Sequence, residues 1–193
     1  GSAALMAWAI QMRFDDWRAV IALLLEAQLL VVSALLIGDR QVRRIGTAFA
    51  ALVTLRTFGD SMSALTHRID WPWPMSAWAP IEGLVAICWY ANHEWLRSRG
   101  VHQDPPERLY PWVASALVGA VIGRDVPIAY AGVAMLVFAF ALLVAGTRPA
   151  PEYRYQSYIA MLLGFRVALM PFLPAGSPVA HADLALFAAT AVE

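Results

Sequence analysis

Lysine is missing from this chain: all 14 basic residues among its 193 are arginine. With no side-chain amine there is no Schiff-base chemistry, which excludes a retinal-linked photoreceptor. Cysteine occurs once, as Cys88 inside an apolar run. That excludes a disulfide framework and a thiolate metal site, and leaves a buried thiol as the plain reading. Asparagine also occurs once, at Asn92. Beside so much Ala, Leu and Val, these gaps reflect a GC-rich genome more than a need for guanidinium. Charge is scarce as well, at 15% of residues, where a soluble domain has about 25%. The 14 acids balance the 14 bases, so no basic field exists to attract nucleic acid.

Several catalytic signatures are absent too. No Gly-rich phosphate cradle occurs. No serine sits between glycines with a histidine to serve it, and Ser61 and Ser63 are better suited to polar packing between helices. Gly59-Asp60 supplies one half of an intramembrane aspartyl-protease pair, but that chemistry needs two aspartates sharing a proton. The second is lacking at matching depth. No H-x-x-x-H or carboxylate–histidine spacing appears, so no metal is expected. His67 and His93 close successive antiparallel spans and lie at opposite faces, while His102 and His181 fall in a loop and a terminal segment. Haem between two histidines has one geometric option, His67 with His181. No cofactor is expected.

What the chain has in abundance is apolar sequence. Hydrophobic residues make up 60% and the mean hydropathy is +0.58, which points to an integral membrane protein. The fold class expected is all-α: a polytopic transmembrane bundle of about six spans with a short terminal apolar segment. Runs near the ~20 residues a crossing helix needs cover 17–37, 45–66 and 76–95, then 127–146 and 157–174. The segment 109–123 is the shortest, and its apolar part of roughly 12 residues gives only about 18 Å of helix. Residues 178–193 read as a surface, re-entrant or truncated piece, and 1–16 as an extramembrane segment with a tag remnant, Met6 or Met12 being natural starts. No basic stretch precedes an apolar one there, so no cleavable signal is expected. Residues 1–193 are read as one membrane domain.

Arginine counts orient the spans. Arg40, Arg43, Arg44, Arg97, Arg99, Arg108, Arg148 and Arg154 fall on one side, and Arg13, Arg18, Arg68 and Arg124 on the other. The first set marks loops 38–44, 97–108 and 147–156 as cytoplasmic, in a bacterial inner membrane. Trp71, Trp73 and Trp78 then form one interfacial belt, and Trp95, Tyr110, Trp112, Tyr153 and Tyr155 the other.

Four charges fall within spans: Glu26, Arg56, Asp60 and Arg166. Each costs at least ~2.5–3.5 kcal/mol if it faces lipid. Together they would cost on the order of 10 kcal/mol, a whole domain's stability. They are therefore expected to face inward and neutralise one another. In that arrangement Arg56 pairs with Asp60 and reaches Glu26, and Arg166 takes the remaining carboxylate oxygens. Arg56, Asp60, Ser63 and His67 share one helical face, as do Glu82, Trp89 and His93. Glu82 is expected to be solvated at the interface, as is Glu94. Arg124 and Asp125 form either a tight turn or the broken segment of a binding site.

The primary functional expectation is a small transporter or channel subunit whose midplane cluster of Glu26, Arg56, Asp60 and Arg166 handles a small charged solute or protons. Secondary candidates are Ser63, His67, Glu82, His93, Arg124 and Asp125. The alternative is a non-catalytic membrane subunit whose charges brace the bundle. An intramembrane enzyme using Asp60 or Glu82 as a general base comes third. The implied partners are the lipid bilayer, a small solute or proton, and a homo-oligomer or larger membrane complex.

Overall fold

The computed structural model describes residues 16–63, 68–70, 74–147 and 150–169. Among them every long element is an α-helix. Helices α1 (Asp16–Ile37) and α2 (Arg40–Ser63) come first, then a small ribbon of β1 (Arg68–Asp70) and β2 (Pro74–Ser76), then α3 (Ala79–Ser98). A 3₁₀ turn, Glu107–Leu109, leads into α4 (Tyr110–Asp125), followed by α5 (Ile128–Ala145) and α6 (Pro151–Leu169). Helices α1, α4 and α5 match the apolar runs to within about two residues, while α2 and α6 begin five and six residues before theirs.

Local chemistry sets the boundaries. Gly38 takes φ 78° and donates its N–H to Ala34 at 2.8 Å, the left-handed closure that only glycine adopts without strain. Asp39 then starts α2, its carboxylate accepting the N–H groups of Gln41 (2.7 Å) and Val42 (3.3 Å). This is an N-cap. Two residues thus separate α1 from α2. Pro80 sits in the first turn of α3, where its missing N–H costs nothing. The ribbon is antiparallel, Arg68 opposite Ser76 and Asp70 opposite Pro74.

The chain divides into two compact units, Gly1–Asp125 and Val126–Glu193. In the first, α1 pairs chiefly with α2 and α3 with α4, with lighter contacts between α3 and both α1 and α2. Its core joins Val20, Leu23 and Leu24 of α1 to Val53, Val85, Trp89 and Leu117. In the second unit, α5 and α6 form an antiparallel hairpin. A Cβ added at Gly132 would lie 2.8 Å from the backbone nitrogen of Ala168, so the helices touch there backbone to backbone.

Two helices, α1 over Trp17–Ile37 and α5 over Ile128–Ala145, are long and apolar enough to cross a membrane by length and composition. The other four are not, which narrows the six-span expectation. Helix α2 carries Arg40, Arg43, Arg44, Arg56 and Asp60, α3 carries Glu82, Glu94 and Arg97, and α6 carries Glu152, Arg154 and Arg166. Helix α4 has only 16 residues. Large apolar side chains point outward, among them Leu29, Leu55, Ile87, Val137, Phe140 and Leu162. Meanwhile Glu82, Asn92, His93, Glu107, Thr57 and Ser157 are buried.

Candidate functional site

The most enclosed charges lie where α2 ends, α3 begins and α4 ends. Glu82 has no exposed surface, and Arg124 crosses to it from the last turn of α4. Its Nη1 donates to Glu82 Oε1 at 3.2 Å and its Nη2 to Oε2 at 2.5 Å. The same guanidinium donates to Asp125 Oδ2, from Nη2 at 2.6 Å and Nε at 2.9 Å. Nη1 also reaches the Ser61 hydroxyl. The other oxygen of Asp125 accepts the Ser76 N–H at 2.7 Å, tying the ribbon to α4. Every carboxylate oxygen here has a donor, so the cluster is closed.

A second cluster closes the opposite end. Arg40 and Arg44 donate to the two oxygens of Asp104 at 2.7 and 3.0 Å. Arg43, nearly buried, pairs with buried Glu107 and donates to the His102 carbonyl at 3.2 Å. Two of the arginine-rich loops, 38–44 and 97–108, therefore meet at one end of this unit. The hydrogen bond from Arg44 and the nearby Arg40 charge hold the Asp104 carboxyl below the usual carboxylate range, against the opposing effect of burial.

Between these ends the inward face of α2 is polar. The Thr47 hydroxyl meets the Tyr110 hydroxyl at 2.5 Å and donates to the Arg43 carbonyl at 2.9 Å. The Trp89 indole N–H donates to Thr54 at 2.9 Å, and the Trp89 ring meets Tyr110 edge-on at 4.7 Å. Thr57 and Ser61 follow, both fully buried. From Arg43 to Ser61 is about 27 Å along the helix at 1.5 Å per residue, close to the ~30 Å of a bilayer's hydrocarbon core.

The expected four-charge cluster takes a different form. Arg56 does pair with Asp60, at 3.4 Å, but with side chains 31% and 41% exposed. The buried stripe, Thr47, Ala50, Val53, Thr57 and Ser61, is set one residue on, about 100° round the helix. Arg56 does not reach Glu26. Glu26 is 7% exposed, and neither of its carboxyl oxygens has a hydrogen-bond partner among the described residues. Arg166 belongs to the second unit, exposed, in the last turn of α6 as far as the helix is described.

Glu82 is not solvated at an interface but buried, because Arg124 neutralises it. Arg124 and Asp125 stand in the last turn of α4, not in a turn between two short helices. Glu82, Trp89 and His93 do share the inward face of α3, all buried. Of the aromatic belts, Trp78, Tyr110 and Tyr153 are buried, while Trp112 and Tyr155 are exposed. His67, His181, the Ser63 side chain, Trp71, Trp73 and segments 1–15 and 178–193 lie outside what is described. No group of three or more His, Cys, Asp or Glu that could hold a metal occurs among the described residues.

Sequence reasoning missed the hydroxyl column. Its signal was present in Thr47, Thr54, Thr57 and Ser61, spaced by seven, three and four, which is one face of a helix. The chain matches no protein-family model, no curated protein and no solved structure.

Proposed function

We propose that this chain is an integral membrane protein of the small transporter or channel class, handling protons or a small charged solute. The observation that carries the reading is the polar column inside the first unit. It runs from Arg43 and Glu107, through Thr47, Tyr110, Trp89 and Thr54, to Ser61, Arg124 and Glu82. Its length approximates the apolar thickness of a bilayer. Outward Leu, Val and Phe side chains against inward Thr, Ser, Glu and Arg suit a surround of lipid better than water. In this reading the arginine-rich loops 38–44, 97–108 and 147–156 face the cytoplasm of a bacterial inner membrane. Reconstitution into lipid vesicles tests it. Dissipation of an imposed ion or proton gradient faster than in protein-free vesicles is expected, and equal rates across protons, monovalent cations and anions overturn it.

The Arg56–Asp60 pair favours a second reading, that of a subunit of a larger membrane complex. A charged pair on the lipid-facing side of α2 is better accommodated against a partner helix than against acyl chains. Stoichiometric co-purification that Arg56→Met/Asp60→Leu abolishes would support it.

A further inference from the structure

We infer that Glu26 is a proton-binding carboxyl, and that the proton is the species moved or used for coupling along the first unit. The inference rests on the transport reading above and names its substrate. Glu26 lies nine residues from Trp17 and eleven from Ile37 within the candidate span, so it is about 14 Å from one end and about 17 Å from the other. Helices α1 and α2 are antiparallel, with Gly46 packed against Val31. Counting out from that contact sets Glu26 level with Ala51, three residues along α2 from Thr54.

Among the described residues no arginine stands at that depth, while the Thr54–Trp89 bond brings the buried His93 of α3 near it. On α2 the nearest charged residues along the helix are Arg44 and Arg56, and Arg56 is paired with Asp60. On α3, the other helix packed against α1, Tyr90 and His93 lie nearest that level, and Glu82 is held by Arg124 at the end of the unit. Both Glu26 oxygens lack a hydrogen-bond partner among the described residues. A buried carboxylate that accepts no hydrogen bond is stable only with a cation on it or as the neutral acid. A divalent metal cation takes several ligands, and no group of three or more His, Cys, Asp or Glu that could supply them occurs among the described residues. A proton needs one oxygen. Glu26 is thus set apart from Glu82 and Asp125, whose oxygens are all occupied and which serve as structure.

Dicyclohexylcarbodiimide, an apolar reagent, tests this on the full chain in lipid vesicles. The carboxyl proton passes to a carbodiimide nitrogen while its oxygen bonds to the central carbon, and the adduct rearranges to an N-acylurea with no atom lost. Mass spectrometry is expected to place the adduct on Glu26, and the treated parent is expected to lose proton entry driven by a potassium diffusion potential. Glu26→Gln, neutral and of the same shape, is expected to melt like the parent and conduct no protons, while Glu26→Asp conducts. Because the reagent acts on the folded parent, a misfolded variant does not spare the inference. An unlabelled Glu26, or parental proton entry through a folded Glu26→Gln, overturns it and leaves the transport reading standing. Labelled Glu26 without flux of any ion overturns the transport reading and the proton's role as cargo, while supporting the carboxyl as a proton site.

Discussion

Arg124 grips Glu82 through both carboxylate oxygens, at 3.2 and 2.5 Å, across 42 positions of the chain. The pair is buried, and Asp125 and Ser61 occupy the guanidinium's remaining donors. Removing one partner of such a pair strands a charge and costs about 3–5 kcal/mol. Arg124→Met is accordingly expected to melt far below the parent in detergent, leaving Glu82 and Asp125 uncompensated. A melting temperature within a degree or two of the parent would show that water, not Arg124, solvates Glu82.

The Arg56–Asp60 pair should behave differently. Its side chains are 31% and 41% exposed and one turn apart on a single helix, so replacing both together strands no charge. Arg56→Met/Asp60→Leu is expected to leave detergent stability nearly unchanged. A collapse comparable to Arg124→Met would tie this pair into the structural network instead.

Tyr110 and Thr47 offer a cleaner double-mutant cycle, because their 2.5 Å hydrogen bond joins α4 to α2. Tyr110→Phe is expected to cost about 1 kcal/mol, and Thr47→Val somewhat more because it strands the buried phenol. Measured by thermal melting, the two losses should be clearly non-additive.

Acid should loosen the other end of the unit. The folded Asp104 carboxyl ionises below its ordinary range, so its ties to Arg40 and Arg44 contribute stability above about pH 4, the unfolded value. That contribution is lost as pH falls through the lowered folded value. Asp104→Asn should melt lower than the parent at pH 7 and decline less steeply on acidification. Parallel melting curves between pH 7 and about pH 2.5 would contradict the assignment.

In the second unit the test is steric. A Cβ at Gly132 would approach the Ala168 nitrogen and Cα at 2.8 and 2.9 Å, and backbone cannot yield as a flexible side chain can. Gly132→Val is expected to cost about 1–3 kcal/mol by forcing α5 and α6 apart. Gly123→Ala, with open space around its Cβ position, should have little effect in the same melting assay.

Helix positions were readable from the sequence because apolar runs and punctuation coincide. The run 17–37 became Asp16–Ile37, and Gly38 ended it as its type implies. The inward face of α2 was harder to read. Arg56 and Asp60 drew attention because charges are costly in oil, yet the buried stripe carries Thr47, Thr57 and Ser61. Thr54 and Thr57 bond to the carbonyls of Ala50 and Val53 on their own helix. A hydroxyl satisfied in that way fits lipid and core equally well, so its type does not reveal its direction. Burial of Glu82 depends on a partner 42 residues away, which no local pattern announces. The ribbon escaped notice because three-residue strands are too short to show alternation.

The described helices pair in succession: α1 with α2, α3 with α4, α5 with α6. During synthesis the chain can therefore close one hairpin before the next emerges. The arginines of α2 wait only until Asp104 and Glu107 are made, and Glu82 waits until Arg124 is added. In that interval the acid is bare. A chain stopped between those positions carries an uncompensated acid into whatever surrounds it, which makes the last turn of α4 a checkpoint between an unfinished product and one that quality control should spare.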